Sequence, residues 1–104
     1  MKNSRLTLRY AKSLLALANE SGDIEICVRD LKKFVITCES SKELSLLLKS
    51  PIIKTDKKLS ILTEVFSDFN KLTKRFISII TSKKRENILI SIAERFLQLY
   101  KQQK

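Results

Sequence analysis

A single glycine and a single proline in 104 residues limit what this chain can build more than any other feature. Only glycine adopts positive φ cheaply, and phosphate-cradling loops, tight β-hairpins and nucleophile elbows all depend on it. The absence of histidine and the presence of only two cysteines close the usual routes to metal, nucleotide and triad chemistry. The chain is 43% apolar, which suffices for one modest core. The reading is one helical domain that works by binding, with no catalytic residues, no cofactor and no metal.

The apolar spacing predicts six short amphipathic helices. The first covers about residues 4–19 and carries two apolar flanks, Leu6, Tyr10, Leu14 and Leu17 on one and Leu8, Ala11, Leu15 and Ala18 on the other; Gly22 stops it. The second opens at Asp23 as N-cap and runs to Cys38, with Ile24, Cys27, Val28, Leu31, Phe34 and Val35 facing a core and Arg29, Asp30, Lys32 and Lys33 facing solvent. Ser40 and Glu43 fit a capping box for a third helix that ends at Ser50-Pro51. Ile52 and Ile53 read as extended residues tucked under a corner. Thr55 or Asp56 caps the fourth helix, with Leu59, Leu62, Val65, Phe66 and Phe69 at helical spacing. Asn70 caps the fifth, with Leu72, Phe76, Ile77, Ile79 and Ile80 as its apolar positions, and Ile88 to Tyr100 form the sixth. Short connections make this an all-α, six-helix antiparallel bundle.

The net charge of +10 is unevenly placed, since residues 69–104 carry +7 of it. A basic pole suits an acidic partner, a nucleic acid or an anionic surface. Lys71, Lys74, Arg75 and the run Lys83-Lys84-Arg85 could neutralise phosphates. The phenylalanines, however, occupy core stripes and do not interleave with these cations, so a stacking platform is missing. A solvated basic face explains the pattern more simply. The carboxylates Glu20, Asp23, Glu25, Asp30, Glu39, Glu43, Asp56, Glu64 and Asp68 mostly fall at caps or on polar faces, with no pair among apolar residues to split pKa values for acid–base work. Cys27 and Cys38 lie about 16 Å apart along one helix, beyond the roughly 7 Å that a disulfide spans, and read as small buried hydrophobes in a reducing compartment. No apolar run approaches the ~18 residues of a membrane span, and no signal-peptide core follows the N-terminus.

The first helix has one apolar flank too many, and on the fifth Ile77 and Ile80 compete with Phe76 and Ile79 for the core. Side by side, these helices would leave a groove for an amphipathic helix of another protein; the alternative is that both are simply buried in the bundle.

Ordered local segments then converge on one family. Arg9-Tyr10-Ala11-Lys12-Ser13-Leu14-Leu15-Ala16-Leu17-Ala18 resembles the "RYAxALFxLA" opening of the delta subunit of rotary ATP synthase, called OSCP in mitochondria. Leu44, Leu47, Leu48 and Ser50-Pro51-Ile52-Ile53 resemble its "L..lL.sP.i" segment, and Lys57-Lys58 with Leu59 and Leu62 its "KK..il". Phe76 to Ile80 with Lys83-Lys84-Arg85 resembles "fl.lLi.kkR", and Ile88 to Leu99 the last helix of that family's N-terminal domain. Ser13, Leu15 and Ser82 depart from the commonest residues at their positions without removing a charge or a proline that the pattern needs.

The resemblance implies a six-helix N-terminal domain of a non-catalytic stator subunit, an accessory of a proton-translocating ATP synthase. In that family this domain grips the N-terminal helices of alpha subunits on the catalytic head, through a groove between its first and fifth helices. A further C-terminal domain, not contained in these 104 residues, joins the b subunits of the peripheral stalk. Carried over by position, the partner-binding residues are Tyr10, Ser13, Leu14 and Leu17 on the first helix and Leu72, Phe76, Ile79 and Lys83 on the fifth. On this reading Leu14→Asp weakens partner binding and leaves the fold intact. The resemblance implies no small-molecule substrate and only indirect membrane association, and Met1 so close to the motif favours a bacterial protein at the cytoplasmic face of the inner membrane. The alternative reading is a small basic helical nucleic-acid-binding or adaptor domain.

Overall fold

The computed structural model describes residues 4–103, apart from the side chain of residue 4. Met1, used above for the chain start, lies outside the described residues. Six α-helices follow one another: α1 (Ser4–Ser21), α2 (Ile24–Ser40), α3 (Lys42–Lys49), α4 (Thr55–Val65), α5 (Lys71–Ser82) and α6 (Leu89–Gln103), with a 3-10 turn over Glu86–Ile88 before the last. No strand occurs among the described residues.

The chain's two conformational specialists act where the sequence places them. Gly22 takes φ +79°, its N–H donates to Asn19 O at 3.3 Å and that of Asp23 to Ala18 O at 2.9 Å, which closes α1 in a left-handed cap. A Cβ on Gly22 would meet nothing within 4 Å, so the glycine is there for its backbone angle and not for space. Ahead of Pro51, Ser50 is extended (φ −70°, ψ 127°) and ends α3. Asn70 caps α5 as expected, its side-chain oxygen accepting from Leu72 N–H at 2.8 Å.

Other caps shift. Asp23 occupies the N-cap of α2, but its carboxylate accepts from Ser21 Oγ at 3.0 Å and makes no capping bond. Ser40 still belongs to α2, so Ser41 caps α3 by accepting from Leu44 N–H at 3.2 Å, and the Ser40/Glu43 box does not form. Lys54 precedes α4 without a side-chain bond, and Thr55 and Asp56 fall inside its first turn.

α1 packs chiefly on α6 and α2, α2 also on α6, and α4 on α5. Asn19 and Gln103 exchange hydrogen bonds of 3.2 and 3.3 Å at the ends of α1 and α6, while Tyr100 near the end of α6 reaches Glu25 at the start of α2. α2 therefore runs antiparallel to both α1 and α6, and α1 and α6 share a direction. The core joins Leu14, Cys27, Phe34, Cys38, Ile80 and Phe96, all without exposure. Phe66 stacks between Phe34 and Phe69 with ring centroids 5.0 and 4.8 Å away. Burial raises the pKa of both thiols, that of Cys38 to about 11, so each is a protonated apolar group at neutral pH.

Two expectations fail on exposure. Asp30, placed in solvent by its spacing, is fully buried. Ile52, expected under a corner, is 86% exposed, while its neighbour Ile53 packs against the core. A buried ion pair that the spacing does not signal joins Lys58 to Glu86, with Nζ to Oε2 at 2.5 Å and a further bond from Nζ to Ser50 O at 2.6 Å. One oxygen of Glu86, Oε1, is buried without a hydrogen-bond partner.

Removing one member of a buried ion pair strands the other. Lys58→Met should cost about 3–5 kcal/mol in urea unfolding, and combining it with Glu86→Leu should recover most of the loss. Lys84 sits at φ 62° where α5 ends, a conformation that disfavours a side chain. Lys84→Gly should raise stability by about 0.5–1 kcal/mol in the same assay.

Candidate functional site

The functional question turns on which flanks of α1 and α5 the core leaves over. On α1 the buried positions are Thr7, Ala11, Leu14 and Ala18, a line between the two apolar flanks visible in the sequence. On α5 they are Thr73, Ile77, Ile80 and Thr81. The competition on α5 is thus settled for Ile77 and Ile80. Phe76 is half-buried and Ile79 is 45% exposed.

α1 is held mainly by α6 and α2, and α5 by α4 and α2, so the two helices flank a gap in place of packing ridge into groove. Side chains span it. Tyr10 and Phe76 meet edge to face with ring centroids 6.4 Å apart. Arg85 donates to the Tyr10 hydroxyl and sets its guanidinium 5.8 Å from the ring centroid. Further along, Leu17 and Leu72 line an open cleft of about 310 Å³ whose polar wall includes Glu20, Asp23, Lys71 and Arg75. Rising numbers on α5 meet falling numbers on α1, so the helices are antiparallel, with Leu17 and Leu72 at one end and Tyr10 against Phe76 further along.

Tyr10, Leu17, Leu72 and Phe76 therefore border the space between α1 and α5, and Ile79, three residues past Phe76, is 45% exposed. Ser13 is exposed on the outer lip of α1, three residues after Tyr10 and four before Leu17, and Lys83 is exposed just past the end of α5. Leu14 is different. It has no exposed surface, so its side chain is a core element and no partner can touch it. Arg85, which fixes Tyr10 across the gap, is the member that helical spacing alone could not supply, because it follows the end of α5 and returns by way of the turn at Lys84.

The base of the groove is tied down by polar contacts from α2. Asp30 Oδ2 accepts from Asn70 N–H at 2.7 Å, and Oδ1 accepts from Arg29 at 3.1 and 2.5 Å. Lys33 bonds Asp68 Oδ2 at 3.0 Å, and this bond, with Arg29 nearby, holds the Asp68 carboxyl below the usual range. These contacts place the first turn of α5, and with it Leu72.

The family model for the ATP synthase delta (OSCP) subunit matches residues 6–104. The chain belongs to the ATP synthase delta (OSCP) subunit family. It is similar to ATP synthase subunit delta of Prochlorococcus marinus (strain AS9601), 36% identical over 98 residues, covering 93% of this chain and 54% of that protein. The corresponding subunit of Flavobacterium johnsoniae is 36% identical over 100 residues, covering 96% and 56%, and that of Christiangramia forsetii 35% over 97 residues, covering 93% and 53%. The chain spans about half the length of these delta-subunit relatives.

The burial pattern separates two leucines one turn apart. Leu14→Asp should abolish the cooperative fold, since an unpaired buried charge costs about 4 kcal/mol or more. Leu17→Asp, on a side chain 47% exposed, should retain helical circular dichroism and a melting temperature within a few degrees of the parent, about what a surface change of ±0.5 kcal/mol gives.

Proposed function

We propose that this chain is the head-binding domain of an ATP synthase stator subunit, and that the groove between α1 and α5 receives an amphipathic helix from the N-terminus of an alpha subunit. The observation that carries this reading is the apolar strip of Leu17, Leu72, Tyr10, Phe76 and Ile79, which the bundle leaves open between two helices of a delta-family domain. The three partly exposed aliphatic side chains and the ring pair are the kind of surface that an i, i+3, i+4, i+7 stripe covers. Lys83 and Ser13 lie at the margin, where one can meet a carboxylate and the other admits a close approach.

The role is mechanical. A stator contact must hold the head against torque through a small surface, so a few desolvated anchors should dominate its energy. The b subunits of the peripheral stalk would bind through a further C-terminal domain of the subunit, and the assembly would lie at the cytoplasmic face of a bacterial inner membrane. No helix among the described residues is long and apolar enough to cross that membrane.

Titration calorimetry with a peptide from the N-terminus of the matching alpha subunit tests this. Saturable binding that changes little with salt and carries a negative heat-capacity change is expected. Leu17→Asp and Ile79→Asp should each weaken it by about 2 kcal/mol. Absence of binding by the folded domain would reject the groove, and binding that collapses steeply with salt, matched by an oligonucleotide, would favour the nucleic-acid alternative.

A further inference from the structure

α5 borders a second cleft, on its α4 side, which shares Lys71 and Arg75 with the cleft at Leu17 and Leu72. Lys71, Lys74, Arg75 and Ser78 lie on the side of the helix turned toward α4, where a cleft of about 300 Å³ opens between the two helices. Its floor is aliphatic and aromatic, made by Leu59, Leu62, Phe66 and Ile77. Its rim is cationic. No carboxylate lines it, and among the described residues neither Lys71 nor Arg75 has an acidic partner, while Lys74 reaches only Ser67 O, at 3.2 Å. We infer that this cleft is a second docking site, for an acidic amphipathic segment of a partner protein that inserts one or two apolar side chains between α4 and α5 and sets carboxylates against Lys71 and Arg75.

Size and charge select this occupant. A volume near 300 Å³ matches the lower end of ligand pockets and holds a leucine- or phenylalanine-sized anchor or two. A segment with acids one turn from such an anchor would find the cations on the rim, where charge complementarity speeds encounter and fixes orientation. Nucleic acid fits poorly, because Phe66 is only 2% exposed and no ring on the rim offers a face to a base. An anionic bilayer fits poorly too, because an apolar hollow between helices has nothing to insert into lipid. Lys71 and Arg75 border both clefts, whereas Thr63, Lys74 and Ser78 line this one and not the cleft at Leu17 and Leu72, so these three separate the two sites.

The test is an amide-shift titration of the ¹⁵N-labelled chain with a synthetic helical peptide carrying two leucines one turn apart, flanked by glutamates. Shifts should concentrate on residues 59–78 along the α4 side of α5. Thr63→Glu and Lys74→Glu, each checked for its helical fold, should weaken binding at least tenfold. Equal binding of the same peptide with lysine in place of glutamate would overturn the inference, as would unchanged affinity in both cleft variants or shifts confined to α1 and the far side of α5. A single-stranded oligonucleotide or phosphatidylglycerol vesicles that shift these amides more strongly than the acidic peptide would overturn it in favour of a phosphate-bearing occupant.

Discussion

The bond from Asn70 N–H to the buried carboxylate of Asp30 decides how this bundle is arranged. An acid without exposure in the middle of α2 is costly unless donors meet it, and here the donors are the amide that opens α5 and the guanidinium of Arg29. Asn70 serves twice, donating its amide to α2 and capping α5 through its side chain. The first turn of α5 is thereby anchored to α2 in position and rotation. With Thr73 and Ile77 turned inward, Leu72 and Phe76 are carried toward α1, Lys74 and Ser78 toward α4, and Lys71 and Arg75 lie between, bordering both clefts. Both the groove beside α1 and the cleft beside α4 follow from that one rotational setting.

A second polar tie holds the opposite end. Lys58 on α4 reaches Glu86 in the 3-10 turn and the carbonyl of Ser50 at the end of α3, so three elements meet at one ammonium group. Arg85, next in the chain to Glu86, is in the same stretch aimed the other way, onto Tyr10. The left-handed Lys84 lets α5 end and the chain reverse within a few residues. Its strain and the unpartnered oxygen of Glu86 show that this turn is placed by its surroundings and is not relaxed by its own sequence.

Local chemistry was legible in the sequence. Gly22, Pro51 and Asn70 mark element ends because each acts through its own backbone angles or side chain, and the helices themselves follow from apolar spacing. Facing was legible on α2, where the stripe is clean, and ambiguous on α1, where the core line falls between two apolar flanks and takes Leu14 from the set assigned to the partner. Asp30 and Lys58 escaped because a charge on a polar flank looks solvated until the partner that covers it arrives from 40 or 28 residues away. Ile52 escaped for the converse reason, since nothing in its own sequence says that the loop after Pro51 turns it outward.

Docking of a helix on the strip between α1 and α5 is tested at the level of atoms by isotope-filtered nuclear Overhauser spectra of the labelled chain bound to the unlabelled alpha-subunit peptide. Contacts are expected from peptide methyl groups to the side chains of Leu17, Leu72, Phe76 and Ile79, and none to Leu14. Contacts confined to other helices, or a bound peptide touching Leu14 in an opened core, would contradict it.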